Sequence, residues 1–94
     1  MVPTISDEAD QIFQDLQTIM VRKHQDYGPR NISDAYGGPM NGLLVRIGDK
    51  YARIKHLMAD KERTANFESL EDSFLDLANY CVIAILVMRG KWEE

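Results

Sequence analysis

The chain has 94 residues, a single cysteine, 45% hydrophobic and 28% charged residues, and a net charge of −4 at pH 7. That length fits one domain, one cysteine excludes an internal disulfide, and the acidic balance excludes general coating of nucleic acid, which needs a basic surface. The charge is uneven: residues 22–55 hold seven basic side chains against three acidic ones, so that stretch carries +4 and the rest −8, the pattern of a local anion site on an acidic protein.

The N-terminal MVPTISDEADQ is acidic and has no apolar signal core, so a cytoplasmic protein is expected. A first helix is expected over about 7–23. Ser6 serves as its cap, and Asp7, Glu8 and Asp10 complement the positive end of the dipole. Ile12, Phe13, Leu16, Ile19 and Met20 recur at helical spacing and mark its buried face. Residues 22–40 follow as a loop containing KHQDYGPRNI and SDAYGGPMNG, longer than the usual link between helices, and long loops in compact domains are often functional.

A second helix is expected over about 41–60, with Pro39 and Asn41 as stop and cap. Leu43, Leu44, Ile47, Tyr51, Ile54 and Met58 form its apolar stripe, and Arg46, Lys50 and Arg53 a cationic one. The third helix, about 69–89, opens on a capping box between Ser69 and Asp72 and closes at Gly90. Leu70, Phe74, Leu77, Ala78, Val82, Ile85 and Leu86 give it a broad apolar side. Every position from Cys81 to Met88 is apolar, and Cys81 reads as a small buried hydrophobe. YCVIAILVM is far short of the roughly 20 residues that span a bilayer, so no membrane is expected. A helix apolar on all sides needs cover on all sides. The expected fold is therefore all-α: a three-helix unit that completes a bundle by self-association, a homo-oligomer.

Two groups of side chains carry chemistry. In the loop, Arg22, Lys23, His24 and Arg30 offer donors to phosphate. Tyr27 offers a stacking face for a base, Asp26 a partner for His24, and Asn31 an amide for a polar edge. The alternative is a structural turn clamped by Asp26 and Arg30. On the helices, Asp72, Asp76 and Asn79 fall at i, i+4 and i+7, the period of Arg46, Lys50 and Arg53. Antiparallel packing would bring the two stripes together, either as a salt-bridge seam or as a polar cleft. Glu68 and Glu71 add acids at the helix start. Asp49, Glu71, Asp72 and Asp76 are the candidate ligands for Mg²⁺, which favours one or two carboxylates plus water and phosphate oxygens. His56 and Trp92 read as structural, Trp92 as a hydrophobic plug folding back after Gly90. No zinc spacing, Walker loop, dinucleotide fingerprint or nucleophile elbow occurs.

KHQDYGPRNI, GLLVRIGDKYARIKHL and ESLEDSFLDLANYCVIAILV, in that order, resemble the nucleotide-modification-associated domain family, the first of that name: small helical proteins of phages and bacteria. The resemblance spans residues 22–88 and implies contact with nucleotides, without implying a reaction. ESLEDSFLD is also similar to one carboxylate pair of the MazG-like all-α nucleotide pyrophosphohydrolases, through Glu68, Glu71, Asp72 and Asp76. Where those enzymes have a second pair, RIGDK offers only Asp49. The expected function is binding of a nucleotide or small phosphate ligand. The alternatives are an Mg²⁺-dependent nucleotide phosphohydrolase and a structural or adaptor oligomer without a ligand.

Overall fold

Thr4, not Ser6, starts the first helix. Its hydroxyl accepts from the Asp7 N–H at 3.2 Å, and the Asp7 carboxylate accepts from the Thr4 N–H at 3.1 Å. This reciprocal box satisfies two of the donors that a helix N-terminus leaves open. The structure is a computed structural model that describes residues 2–60 and 69–93. In it α1 runs Ile5–Tyr27, α2 Arg30–Ser33, α3 Pro39–Ala59 and α4 Leu70–Met88. The fold is all-α, with no strand among the described residues.

The expected loop over residues 22–40 is largely helical. Nothing from Lys23 to Tyr27 breaks a helix, so α1 continues a further turn, to Gly28. The Gly28 backbone, at φ 73°, ends it with its N–H still donating to the His24 carbonyl. Pro29 then withholds a backbone donor, and α2 begins at once. The irregular backbone shrinks to residues 28–29 and 34–38.

Pro39 is the first residue of α3, a position where its missing N–H costs nothing, and Gly38 is the cap. Asn41 lies inside the first turn instead of capping it. Its Nδ2 donates to the Tyr36 carbonyl at 2.9 Å and straps the 34–38 turn to α3. Gly42 is a close-approach glycine: a Cβ there would collide with the Ala35 methyl.

α4 opens with the expected Ser69–Asp72 box. At its other end Gly90, at φ 67°, donates to Val87 O and Lys91 N–H donates to Leu86 O. That pair of bonds is a Schellman closure, and it turns the tail back over the bundle. Trp92 is buried, as expected of a plug. With Ile32, Leu43 and Ile83 it forms the core, against which Met20, Tyr80, Ala84, Leu86 and Val87 pack.

α4 lies antiparallel along α3, with Lys50 facing Asp76 and Arg46 facing Tyr80, and meets α1 over a shorter stretch. Within a single chain this leaves much apolar surface exposed. On α1 only Leu16 is buried, while Phe13 stays 67% exposed; Leu44 and Met58 on α3, and Ile85 and Met88 on α4, are also exposed. Cys81 is exposed too, contrary to its reading as a buried hydrophobe. An apolar run longer than two turns presents every side, and α1 and α3 cover only part of the circumference. Among the described residues no helix is long and apolar enough to cross a membrane.

Candidate functional site

Because KHQD continues α1, helical spacing selects which of its residues share a face. Met20, Lys23, His24 and Tyr27 stand at i, i+3, i+4 and i+7, and all four line one cleft. Asp76, Asn79, Tyr80 and Ile83 repeat that spacing on α4 and line the opposite side. Arg46 from α3, Asn31 and Ile32 from α2, and Trp92 from the tail complete a cleft of about 250 Å³. The apolar floor comes from the core residues, and the polar groups come from four separate elements.

The polar groups are held in place. Asp76 receives Lys50 Nζ at 2.9 Å and Lys23 Nζ at 3.5 Å. Burial raises the Asp76 pKa, but the hydrogen bond from Lys50 and the charges of both lysines outweigh it and hold the carboxyl below its usual range. Arg46 Nη2 donates to the Asn31 carbonyl at 3.1 Å, and its guanidinium stands 5.9 Å from the centroid of the Tyr80 ring, a cation–π distance. His24 Nε2 bonds to the Trp92 carbonyl at 2.9 Å; a carbonyl only accepts, so this nitrogen carries the hydrogen. The two rings meet edge to face with centroids 4.6 Å apart. Trp92 Nε1 donates to the Pro29 carbonyl at 3.0 Å, closing the tail over the α1–α2 turn. Asn79 Nδ2 donates to the Leu16 carbonyl at 3.1 Å, which fixes the amide and leaves Oδ1 a buried acceptor without a hydrogen bond among the described residues.

Of the candidate ligand-binding residues, Lys23, His24, Tyr27, Asn31, Arg46 and Asn79 converge on this cleft, and Lys50 joins it through Asp76. Arg22 and Asp26 lie off the shared face and are exposed; Arg22 lines a separate shallow groove with Gln17 and Val21. Arg30 is also outside, exposed and paired with Asp34 at 2.9 Å. Arg53 sits further along α3 and does not line the cleft. The two helix stripes meet, but Asp76 also takes Lys23 of α1, a partner that the α3–α4 pattern did not indicate.

The four candidate metal ligands are dispersed. Asp49 and Glu71 are exposed, Asp72 accepts from the Ser69 N–H in the cap, and Asp76 is the ion-paired group in the cleft. No group of three or more His, Cys, Asp or Glu side chains suited to a metal occurs among the described residues. Glu68 lies outside the described residues. Tyr80, hidden in the apolar reading of α4, and Trp92, read only as a plug, are walls of the cleft. The signal for Tyr80 was present: it lies four residues after Asp76, on the same face.

Residues 23–88 match the family described as Nucleotide modification associated domain 1. The match runs from the last turns of α1 to the end of α4, so it takes in every polar side chain of the cleft and leaves Met20 and Trp92 outside. No curated protein and no solved structure matches the chain. The likeness to the MazG-like pyrophosphohydrolases draws no support from these comparisons. The match covers more than half of the sequence and all four described helices in whole or in part, and the chain belongs to the Nucleotide modification associated domain 1 family.

Proposed function

We propose that the cleft binds a nucleotide or a small nucleotide-derived phosphate ligand. One observation carries this reading: two cations, Lys23 and Arg46, line the same small cavity as the aromatic rings of Tyr27, Tyr80 and Trp92 and the fixed amide of Asn79. A phosphate needs the first kind of group and a base the second and third. At about 250 Å³ the cavity is just below the roughly 300–1,000 Å³ of typical ligand pockets, a size for one nucleotide unit. The family's description, which names nucleotide modification, agrees with this ligand class. Binding is favoured over hydrolysis by the donor set, because among the described residues Asp76 is the one candidate metal ligand lining the cleft and two lysines already engage it. The reading includes self-association, with the exposed apolar sides of α1 and α4 covered by a second copy.

The test is a thermal-shift panel of nucleotides, each with and without Mg²⁺. A ligand present at a hundredfold its Kd stabilises by about 2.7 kcal/mol, a shift on the order of 10 °C for a chain this size. Tyr27→Ala should weaken the active ligand roughly ten- to a hundredfold, the worth of one base-stacking ring, while barely changing the melting of the free protein, because Tyr27 is exposed. A panel in which no nucleotide shifts the wild type removes the proposal.

A further inference from the structure

Behind the tail wall of the cleft lies a second space, an open groove of about 280 Å³ with Val21, Gln25 and Leu86 on its own sides. Met20, His24 and Trp92 line both the groove and the cleft, so these three side chains are the partition between them. Trp92 does most of the separating. It has the largest ring of the three, is only 7% exposed and is pinned at both ends. Its Nε1–H is given to the Pro29 carbonyl at 3.0 Å, and its own carbonyl takes the His24 Nε2–H at 2.9 Å. The His24 ring meets it edge to face, with centroids 4.6 Å apart. Both ring N–H groups are thus committed to backbone carbonyls. The partition turns an apolar and aromatic surface towards the cleft, which suits a base and not a phosphate.

We infer, resting on the nucleotide-binding reading, that Trp92 sets the size of the base the cleft accepts. A base held against the indole cannot extend past it, and specificity is built by such exclusion as much as by attraction. A close-packed wall admits no added ring unless something in it moves. With the indole gone, the cleft of about 250 Å³ would run into the groove and roughly double in volume. The new end would be apolar on two sides, Val21 of α1 and Leu86 of α4, and would receive an apolar group. The layout along the chain agrees. The polar residues of the cleft lie within the family-matched stretch 23–88, whereas Met20 and Trp92 lie outside it. The ligand class then belongs to the matched stretch and the size limit to its flanks.

Isothermal titration tests this with adenosine, guanosine, cytidine and uridine 5′-phosphates, each also in a form carrying a benzyl group on the base. The wild type is expected to bind at least one parent nucleotide and to bind its benzylated form about tenfold or more weakly. Trp92→Ala should reverse that order, gaining about tenfold or more for the benzylated form over the wild type while losing affinity for the parent. A merely structural role of the indole would weaken both ligands together and leave their order unchanged. Circular dichroism establishes that the variants fold. Should Trp92→Ala fail to fold, Trp92→Leu keeps an apolar side chain in the core, and Met20→Ala opens the same partition from α1. Either should relax the rejection by about threefold or more. A wild type that binds the benzylated form within about threefold of the parent overturns the size limit and leaves nucleotide binding intact. So does a folded Trp92→Ala protein that still rejects the benzylated form. If no parent nucleotide binds the wild type, the nucleotide reading itself falls, and this inference with it.

Discussion

Asp76 is where stability and the cleft share one side chain. Its folded carboxyl titrates below the usual range: burial opposes ionisation, but the hydrogen bond from Lys50 and the charges of Lys23 and Lys50 prevail. A carboxyl depressed in the folded state stabilises the fold fully above its unfolded pKa of about 3.9, and the contribution disappears as pH falls through the lower folded value. Thermal unfolding followed from pH 5 to pH 2 should therefore show a falling Tm, and Asp76→Asn should flatten that fall. A residual slope is expected from Asp7, whose pKa is lowered by hydrogen bonds from the Thr4 backbone and hydroxyl. An unchanged slope in Asp76→Asn would mean that the lysine pairs do not persist in solution. At this scale the sequence named the cleft's chemistry better than its membership. Lys23, His24, Tyr27 and Asn31 were legible as a dense polar group, but only the helical path of α1 shows that Arg22 and Asp26 face away. Arg30 was misplaced for a local reason, since Asp34 lies one turn on and takes it at i, i+4.

The helices differ in how firmly they are anchored, although α1 and α4 carry the same capping device. Ser69→Ala and Thr4→Ala each remove a box whose loss typically costs about 1 kcal/mol. α4 packs along α3 for much of its length, so a weakened Ser69 cap should lower the global stability by about that amount in a denaturant melt. The N-terminal half of α1 has few neighbours among the described residues. A weakened Thr4 cap should therefore appear as faster amide exchange in the first turns, with little effect on global unfolding. Equal losses of global stability in both variants would show that α1 is anchored along its whole length. The α4 box could be read directly from Ser69 and Asp72. The α1 box had the same spacing at Thr4 and Asp7, but Ser6 next to the acidic run competed for the role. The end of α1 was misread because basic residues at 22 and 23 resemble a helix terminus, while the actual stop, Gly28, lies five residues further on.

For the whole molecule, the radius of gyration is 15.1 Å, whereas a compact domain of this length has about 12 Å. The excess agrees with the exposed apolar side chains on α1, α3 and α4. If a second copy covers these surfaces, sedimentation at micromolar concentration should give a dimer or a larger assembly. Ile85→Glu then distinguishes the cases. In an isolated chain Ile85 is 48% exposed, so the charge should be tolerated, with a change within about 0.5 kcal/mol. Buried between copies, the same charge should cost several kcal/mol and dissociate the assembly. A well-folded wild-type monomer at micromolar concentration would count against self-association. The all-α class was legible because every apolar pattern has the helical period. The fourth helix was not, because the four residues of α2 are too few to show any period.

The tail after α4 has one more consequence. The chain contains a single tryptophan, and the Schellman closure at Gly90 delivers it to the wall of the cleft, its indole N–H on Pro29 and its ring against His24. The protein thus carries its own optical probe on the wall of the cleft. Emission from Trp92 comes from one environment, free of other indoles. A blue-shifted spectrum reports the docked tail, a red shift its release, and a change on addition of a small molecule reports occupancy of the cleft without any label. A fragment trimmed to residues 23–88 would lose both the signal and the wall that produces it.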